Sequence, residues 1–219
     1  MLNAVDFLRT DRESGKVLLD APHFVVTPGE RVAVQGPSGS GKSLLLRSLA
    51  WLDRLDRGKL RYRDKRVHHD SVPDFRRRVV YLHQAAALDG MKVEDALRSP
   101  YRLRVHRHAQ YQRSPAVQTF ASLGRDEDFL DKNVRDLSGG ERQIAALTRC
   151  LLLQPEMILL DEPTAALDAA TSQLVEKAVC DWVAERPDQR AILWVSHDEG
   201  QTDRLATRTV RVEAGRVQE

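Results

Sequence analysis

Five short stretches of the 219-residue chain carry residue types suited to work on phosphates. Gly36-Pro37-Ser38-Gly39-Ser40-Gly41-Lys42-Ser43 fits the spacing G-x-x-x-x-G-K-S and lies between an apolar run, RVAVQG, and a helical pattern, SLLLRSLAWL. The main-chain N–H groups of such a loop wrap phosphates, Lys42 brings positive charge to the β and γ groups, and the Ser43 hydroxyl suits Mg²⁺. A glycine-rich turn that merely fits the spacing is the bland alternative, and the strand-loop-helix setting argues against it. In MILLDE, four apolar residues form a strand that delivers Asp161 and Glu162 at its polar end. Asp161 there is placed to hold Mg²⁺, directly or through water, and Glu162 to polarise an attacking water as general base. Gln84, after VVYLH, could ligate Mg²⁺ or position water, and His197, after AILWVS, could hydrogen-bond a γ-phosphate. Alone, the first reads as a loop residue and the second as a structural histidine. The fifth stretch is LSGGERQ, Leu137 to Gln143. Ser138, Gly139 and Gly140 open a helix, which makes a second arrangement for an anion in a chain that already has one.

These residues need strands that end at a common edge. Short β-branched runs alternate with helical patterns (RVAVQG, RVVYLHQ, MILLDEP, AILWVSHD), and RTVRVEAGRVQ reads as a closing hairpin. This alternation predicts an α/β sheet, mixed and mainly parallel, with VLLDAPHFVV as the first strand. Loops at the carboxyl ends of parallel strands gather along one edge, so Lys42, Gln84, Asp161, Glu162 and His197 can converge. After Gln84 the chain turns polar, helix-prone and rich in Arg and His, which predicts a helical segment at 85–136 inserted between core segments 1–84 and 137–219. No internal repeat, heptad pattern or low-complexity tract interrupts this plan.

Composition narrows the function classes. The hydrophobic share of 42% supports an ordinary core, and 34 Lys plus Arg against 32 Asp plus Glu leave a net charge of +2. That balance gives no field for a dedicated nucleic-acid binder, so no nucleic-acid partner is expected. The cluster YRLRVHRHAQYQR reads as a solvated helix face or a docking surface, and His68-His69 as surface. Cys150 and Cys180 fall inside helical patterns without metal-ligand spacing, as buried thiols in a reducing compartment. No signal-peptide pattern opens the chain and no apolar run approaches a membrane span of about 20 residues. A membrane role is expected to come through a partner.

The ordered set GPSGSGKS, YLHQ, LSGGERQ, MILLDEP, TAALD and WVSHD resembles the ATP-binding subunit of an ABC transporter along nearly the whole chain. A P-loop kinase or small GTPase would lack LSGGE. The resemblance implies a P-loop NTPase fold of the ABC type with an N-terminal antiparallel β part, ATP and Mg²⁺ as ligands, and ATP hydrolysis coupled to transport. It implies a head-to-tail homodimer in which Ser138, Gly139 and Gly140 contact the ATP held by the partner copy, and in which Asp168 of AALD crosses the interface. It also implies a separate permease that docks the helical segment, and a cytoplasmic location at the inner face of the membrane. The helix-cap reading of S-G-G-E is compatible with that role.

Two positions depart from the family pattern. The aromatic residue that stacks on adenine is replaced, by count, with Arg9, leaving either the Arg9 guanidinium plane or a turned Phe7 for the base. Leu44 follows Ser43 where Thr is common. The short length, the SPYRLR stretch and the ending AILWVSHDEGQTDRLATRTVRVEAGRVQE look most like the ATPase subunits of small bacterial iron exporters, and imply a single-cassette subunit. Other transport ATPases, for lipoprotein release or small-molecule uptake, share the same motifs. An ABC ATPase of DNA repair or translation is a further class, usually marked by a tandem cassette or long coiled-coil insertion.

Overall fold

The structure is a computed structural model that describes residues 1–85 and 87–218. Ala86, in the predicted insert, and Glu219, at the end of the predicted core, lie outside the described residues. The chain opens with β1 (Leu2–Thr10), β2 (Val17–Val26) and β3 (Arg31–Gln35), and then forms α1 (Lys42–Leu49), β4 (Arg57–Tyr62), β5 (Lys65–Arg66), α2 (Val72–Arg78) and β6 (Val79–Leu82). Helices α3 (Val93–Arg98) and α4 (Arg113–Ser122) follow, then α5 (Gly139–Leu152), β7 (Met157–Asp161), α6 (Ala169–Ala184), β8 (Ala191–Val195), α7 (Glu199–Leu205), β9 (Arg208–Glu213) and β10 (Arg216–Gln218). The strands join in one sheet of order β5-β4-β1-β2-β10-β9-β3-β8-β7-β6.

The run β9-β3-β8-β7-β6 is parallel throughout, whereas β5, β4, β1 and β2 pair antiparallel. The mixed, mainly parallel centre with an antiparallel N-terminal part is as the sequence predicts, including the β9–β10 hairpin. One strand differs: β1 precedes VLLDAPHFVV, which is therefore the second strand. Its run LNAVDFLRT is interrupted at Asp6, φ +56°, and the strand is carried by pairing with β2 on one side and β4 on the other.

Every residue of β7 and β8 is buried, as expected of parallel strands covered on both faces. Their side chains alternate between two cores. Met157, Leu159, Ala191, Leu193 and Val195 join α1 residues Leu45, Leu46 and Leu49 and the antiparallel strands. Ile158, Leu160, Ile192 and Trp194 face Ile144 and Leu147 of α5, Val175 and Val179 of α6, and the inserted segment. The period of two in the strands thus distributes one apolar run to two helical layers.

Residues 87–136 contain no strand longer than a single bridge, Lys92 with Asn133, which draws the two ends of this segment together. Val93, Leu97, Phe120 and Phe129 share the second core with α5, so the insert and the sheet bury apolar surface against each other. The YRLRVHRHAQYQR cluster forms no regular helix before its last residue, Arg113, opens α4. Pro100 starts a short 3-10 turn at Ser99–Arg102 and a second covers Arg104–His106, with His106 tucked in beside Tyr101. Both cysteines are free; Cys150 is buried, which pushes its thiol up to about 12, whereas Cys180 is only partly covered. His68 and His69 are exposed.

Candidate nucleotide site

The carboxyl ends of β3, β6, β7 and β8 meet at one edge, and each brings polar residues to it. After β3 the loop Gly36–Ser43 turns into α1. Gly36 has φ +145°, and a Cβ there would lie 2.1 Å from the Val212 carbonyl oxygen and 2.9 Å from Ser40 Oγ, so only glycine lets the loop start this close to β9. Pro37, Ser38 and Gly39 form the exposed rim. Ser40 is buried and its hydroxyl has no hydrogen-bond partner among the described residues. Gly41 caps α1 in the left-handed region. Lys42 folds over the loop, its Nζ donating to the Gly36 carbonyl at 2.8 Å and the Pro37 carbonyl at 2.9 Å. Burial pulls its ammonium below the ordinary lysine range, and the carboxylates of Glu162 and Asp161 push the other way.

Asp161, at the end of β7, is 3% exposed. Its Oδ1 accepts from Ser43 Oγ at 3.1 Å and its Oδ2 from the Tyr81 hydroxyl at 2.7 Å. The Ser43 hydroxyl and the Asp161 carboxylate form a hard-oxygen pair of the kind that fits Mg²⁺, and Gln84 carries an amide oxygen of the same class. Glu162 follows in the left-handed region at φ +48°, which costs a residue with a side chain on the order of 1–3 kcal/mol and marks an imposed geometry. One carboxylate oxygen accepts from Gln84 Nε2 at 2.7 Å, and the other lies 2.6 Å from His197 Nε2. Gln84 and His197 therefore meet on Glu162, one from β6 and one from β8. Beside them a cleft of about 540 Å³ opens between Glu162, His197 and α6.

Sequence reasoning missed Tyr81. The available signal is a single polar-tipped aromatic in VVYL, on a strand in parallel register with MILLD (Tyr81 opposite Leu159).

Among the described residues no hydrogen bond or ion pair joins Ser138, Gly139 or Gly140 to Lys42, Asp161 or Glu162 of the same chain. Ser138 caps α5: its Oγ accepts from the Glu141 N–H at 3.2 Å, while Glu141 accepts from the Ser138 N–H at 2.9 Å. Lys132 at 2.7 Å from Glu141, together with that backbone bond, holds the Glu141 carboxyl below the usual range. Gly140 has a packing reason of its own, since a Cβ there would sit 2.7 Å from the Ala166 carbonyl oxygen. Asp168 is used within its own chain: its carboxylate caps α6, accepting from the Thr171 N–H at 2.8 Å and the Thr171 hydroxyl at 2.9 Å, which lowers its pKa. Phe7 is fully buried in the first core, against the Gly58 backbone, so it cannot turn toward a base. Arg9 Nη1 lies 3.2 Å from Asp53, which also receives Arg47 at 2.9 Å, so the Arg9 guanidinium is held in an ion pair.

The sequence model described as "ABC transporter" matches residues 19–165. This chain belongs to the ABC transporter family. Among curated relatives, the sulfate/thiosulfate import ATP-binding protein CysA of Mycobacterium bovis is 33% identical over 96% of this chain and 58% of its own length. The chain thus spans little more than half of that protein. The probable iron export ATP-binding protein FetA of Escherichia coli is 33% identical over 92% of this chain and 88% of its own length. The tungstate uptake system ATP-binding protein TupC of Peptoclostridium acidaminophilum is 30% identical over 94% and 92%. A solved dimer of the ATP-binding cassette MJ0796 bound to ADP and Pi superposes with a TM-score of 0.88 at 24% identity, covering 100% of this chain and 97% of that one. The fold of that cassette is shared along the full length of this chain.

Proposed function

We propose that this ABC chain binds ATP and hydrolyses it to ADP and phosphate, driving a permease carried on a separate polypeptide. The observation that carries this reading is the Glu162 carboxylate, fixed between Gln84 and His197 next to Lys42, Ser43 and Asp161. The loop Gly36–Ser43 holds the phosphates, and Lys42 exchanges its two carbonyl partners for phosphate oxygens. Ser43, Asp161 and Gln84 would hold Mg²⁺, which when bound neutralises phosphate charge and aligns the γ group. Glu162 takes the proton of the attacking water; His197 and Gln84 keep its carboxylate aimed, and His197 can turn to the γ-phosphate.

Ser138, Gly139 and Gly140 lie at the start of α5, where the Ser138 N–H is taken by Glu141 and the first-turn N–H groups of Gly139 and Gly140 suit an anion. We assign them, with Asp168, to the ATP of a second copy of the chain. The guanidinium face of Arg9 serves the base. The insert at 85–136 receives the permease, which places the chain at the cytoplasmic face of a membrane; among the described residues no helix is long and apolar enough to cross one. Iron or another metal, moved outward, is the cargo we favour, because FetA is matched at 33% identity over 88% of its length, against 30% identity for TupC. Cargo contacts belong to the permease, so the metal tolerance of a strain lacking the chain tests this part.

The test of the chemistry is Glu162→Gln. ATP binding should stay within about twofold while turnover falls by at least about a hundredfold, the range expected for a lost general base. Turnover at the wild-type rate would overturn the assignment.

A further inference from the structure

We propose that Gln201 is a positioning residue for the Glu162–His197 pair, tying the loop after Glu162 to the helix after His197. The inference rests on the ATPase reading above and deepens it. Gln201 lies in α7 and is 3% exposed, and its hydrogen bonds among the described residues reach none of residues 36–43. Its amide is the crossing point of three elements. Oε1 accepts from the Trp194 indole N–H of β8 at 3.0 Å. Nε2 donates to the Glu176 carboxylate of α6 at 2.9 Å and to the Thr164 hydroxyl at 3.2 Å. The indole only donates and the carboxylate only accepts, so these partners fix which end of the amide points where. Both amide hydrogens are engaged, and the residue has no freedom to turn without leaving a buried group unpaired.

The placement of those partners gives the network its consequence. Thr164 stands two residues after Glu162, and Gln201 four residues after His197. The loop is stiff between these points: Ala165 N–H donates to the Glu162 carbonyl at 3.2 Å and Leu167 N–H to the Thr164 carbonyl at 3.0 Å. On the other side Asp198 caps α7 by accepting from the Gln201 N–H at 3.1 Å, which sets the helix start directly after His197. Seven residues are too few for α7 to hold its own position. The amide of Gln201 is the link that keeps the two loops in register, and the 2.6 Å approach of His197 Nε2 to Glu162 is its product. Glu176 is itself steadied by Arg204, whose Nε and second guanidinium nitrogen donate at 3.0 and 2.9 Å. That leaves Glu176 a charge-balanced anchor on α6, the helix that Asp168 opens.

The experiment uses Gln201→Leu, Thr164→Val and Thr164→Ser in the full chain. Thr164→Val keeps the shape and loses the hydroxyl, and Thr164→Ser keeps the hydroxyl. Gln201→Leu and Thr164→Val should lower kcat about tenfold or more with KM for ATP within about twofold, while Thr164→Ser should stay within about twofold of wild type in both. The imidazole NMR signal of His197, assigned by its loss in His197→Ala, reports the contact without turnover. It should move in Gln201→Leu and Thr164→Val to the position seen in Glu162→Gln, and remain at the wild-type position in Thr164→Ser. An unmoved His197 signal in a folded Thr164→Val, or a Thr164→Ser as impaired as Thr164→Val, would overturn the proposal. A wild-type chain without turnover would instead count against the ATPase reading and leave the NMR result to decide this one. Should Gln201→Leu fail to fold, the two Thr164 variants decide.

Discussion

At the scale of single residues, the site is organised by acceptors with two claimants each. Asp161 is held by Ser43 and Tyr81, and Glu162 by Gln84 and His197. Tyr81 fixes Asp161 Oδ2 and so turns Oδ1 to Ser43; Tyr81→Phe keeps the ring and frees the carboxylate to rotate. Removing such a partner of a metal ligand typically costs about tenfold or more in metal affinity. Nucleotide titrations should therefore show unchanged binding in EDTA and a Mg²⁺ requirement raised by about tenfold. Equal loss in both conditions would show that Tyr81 only packs. Arg9 gives the opposite case, a position read from a family pattern whose side chain the structure finds engaged with Asp53.

At the scale of elements, the two glycines that open α5 are not equivalent. A Cβ on Gly139 would meet Ala166 Cβ at 3.8 Å, an ordinary contact, whereas one on Gly140 would be driven to 2.7 Å from the Ala166 carbonyl oxygen. In denaturant unfolding of the nucleotide-free chain, Gly140→Ala should destabilise by about 1–3 kcal/mol through overpacking. Gly139→Ala should be neutral or gain up to about 1 kcal/mol from helix propensity. If Gly139→Ala nevertheless abolishes nucleotide-dependent association, the backbone there is reserved for a ligand. Equal destabilisation by both would show that packing against the 164–167 loop does not distinguish them. The same loop carries Thr164 and ends at Asp168, so α5, α6 and α7 all converge on one short segment.

At the scale of the whole molecule, one copy carries a glycine loop, a carboxylate held by two partners and a helix start closed by its own capping box. The two proposed phosphate contacts come from different places in the fold: the first from the carboxyl ends of parallel strands, the second from the start of α5. Ser138→Arg should leave nucleotide binding by a single chain within about twofold, because no hydrogen bond or ion pair among the described residues joins Ser138 to the cradle. In a Glu162→Gln background it should prevent the dimer that light scattering detects with ATP. Lost nucleotide binding in the monomer would overturn the cross-copy assignment.

The sequence by itself determined the parts whose chemistry is local. A glycine loop needs its glycines at fixed spacing, as at Gly36 and Gly41. Buried parallel strands need unbroken apolar runs, as in MILLD and AILWV, and a cap needs Ser138 three residues before Glu141. Tertiary structure alone decided what depends on residues distant in the chain. Phe7 is sealed and Arg9 is engaged because β1 is flanked by β2 and β4 and faces Asp53. Tyr81 finds Asp161 because β6 runs beside β7. Gln201 becomes a joint because α6, β8 and the loop after Glu162 arrive around it. A hydrogen bond between residues far apart in sequence leaves no periodicity or spacing behind, so only the packed chain reveals it.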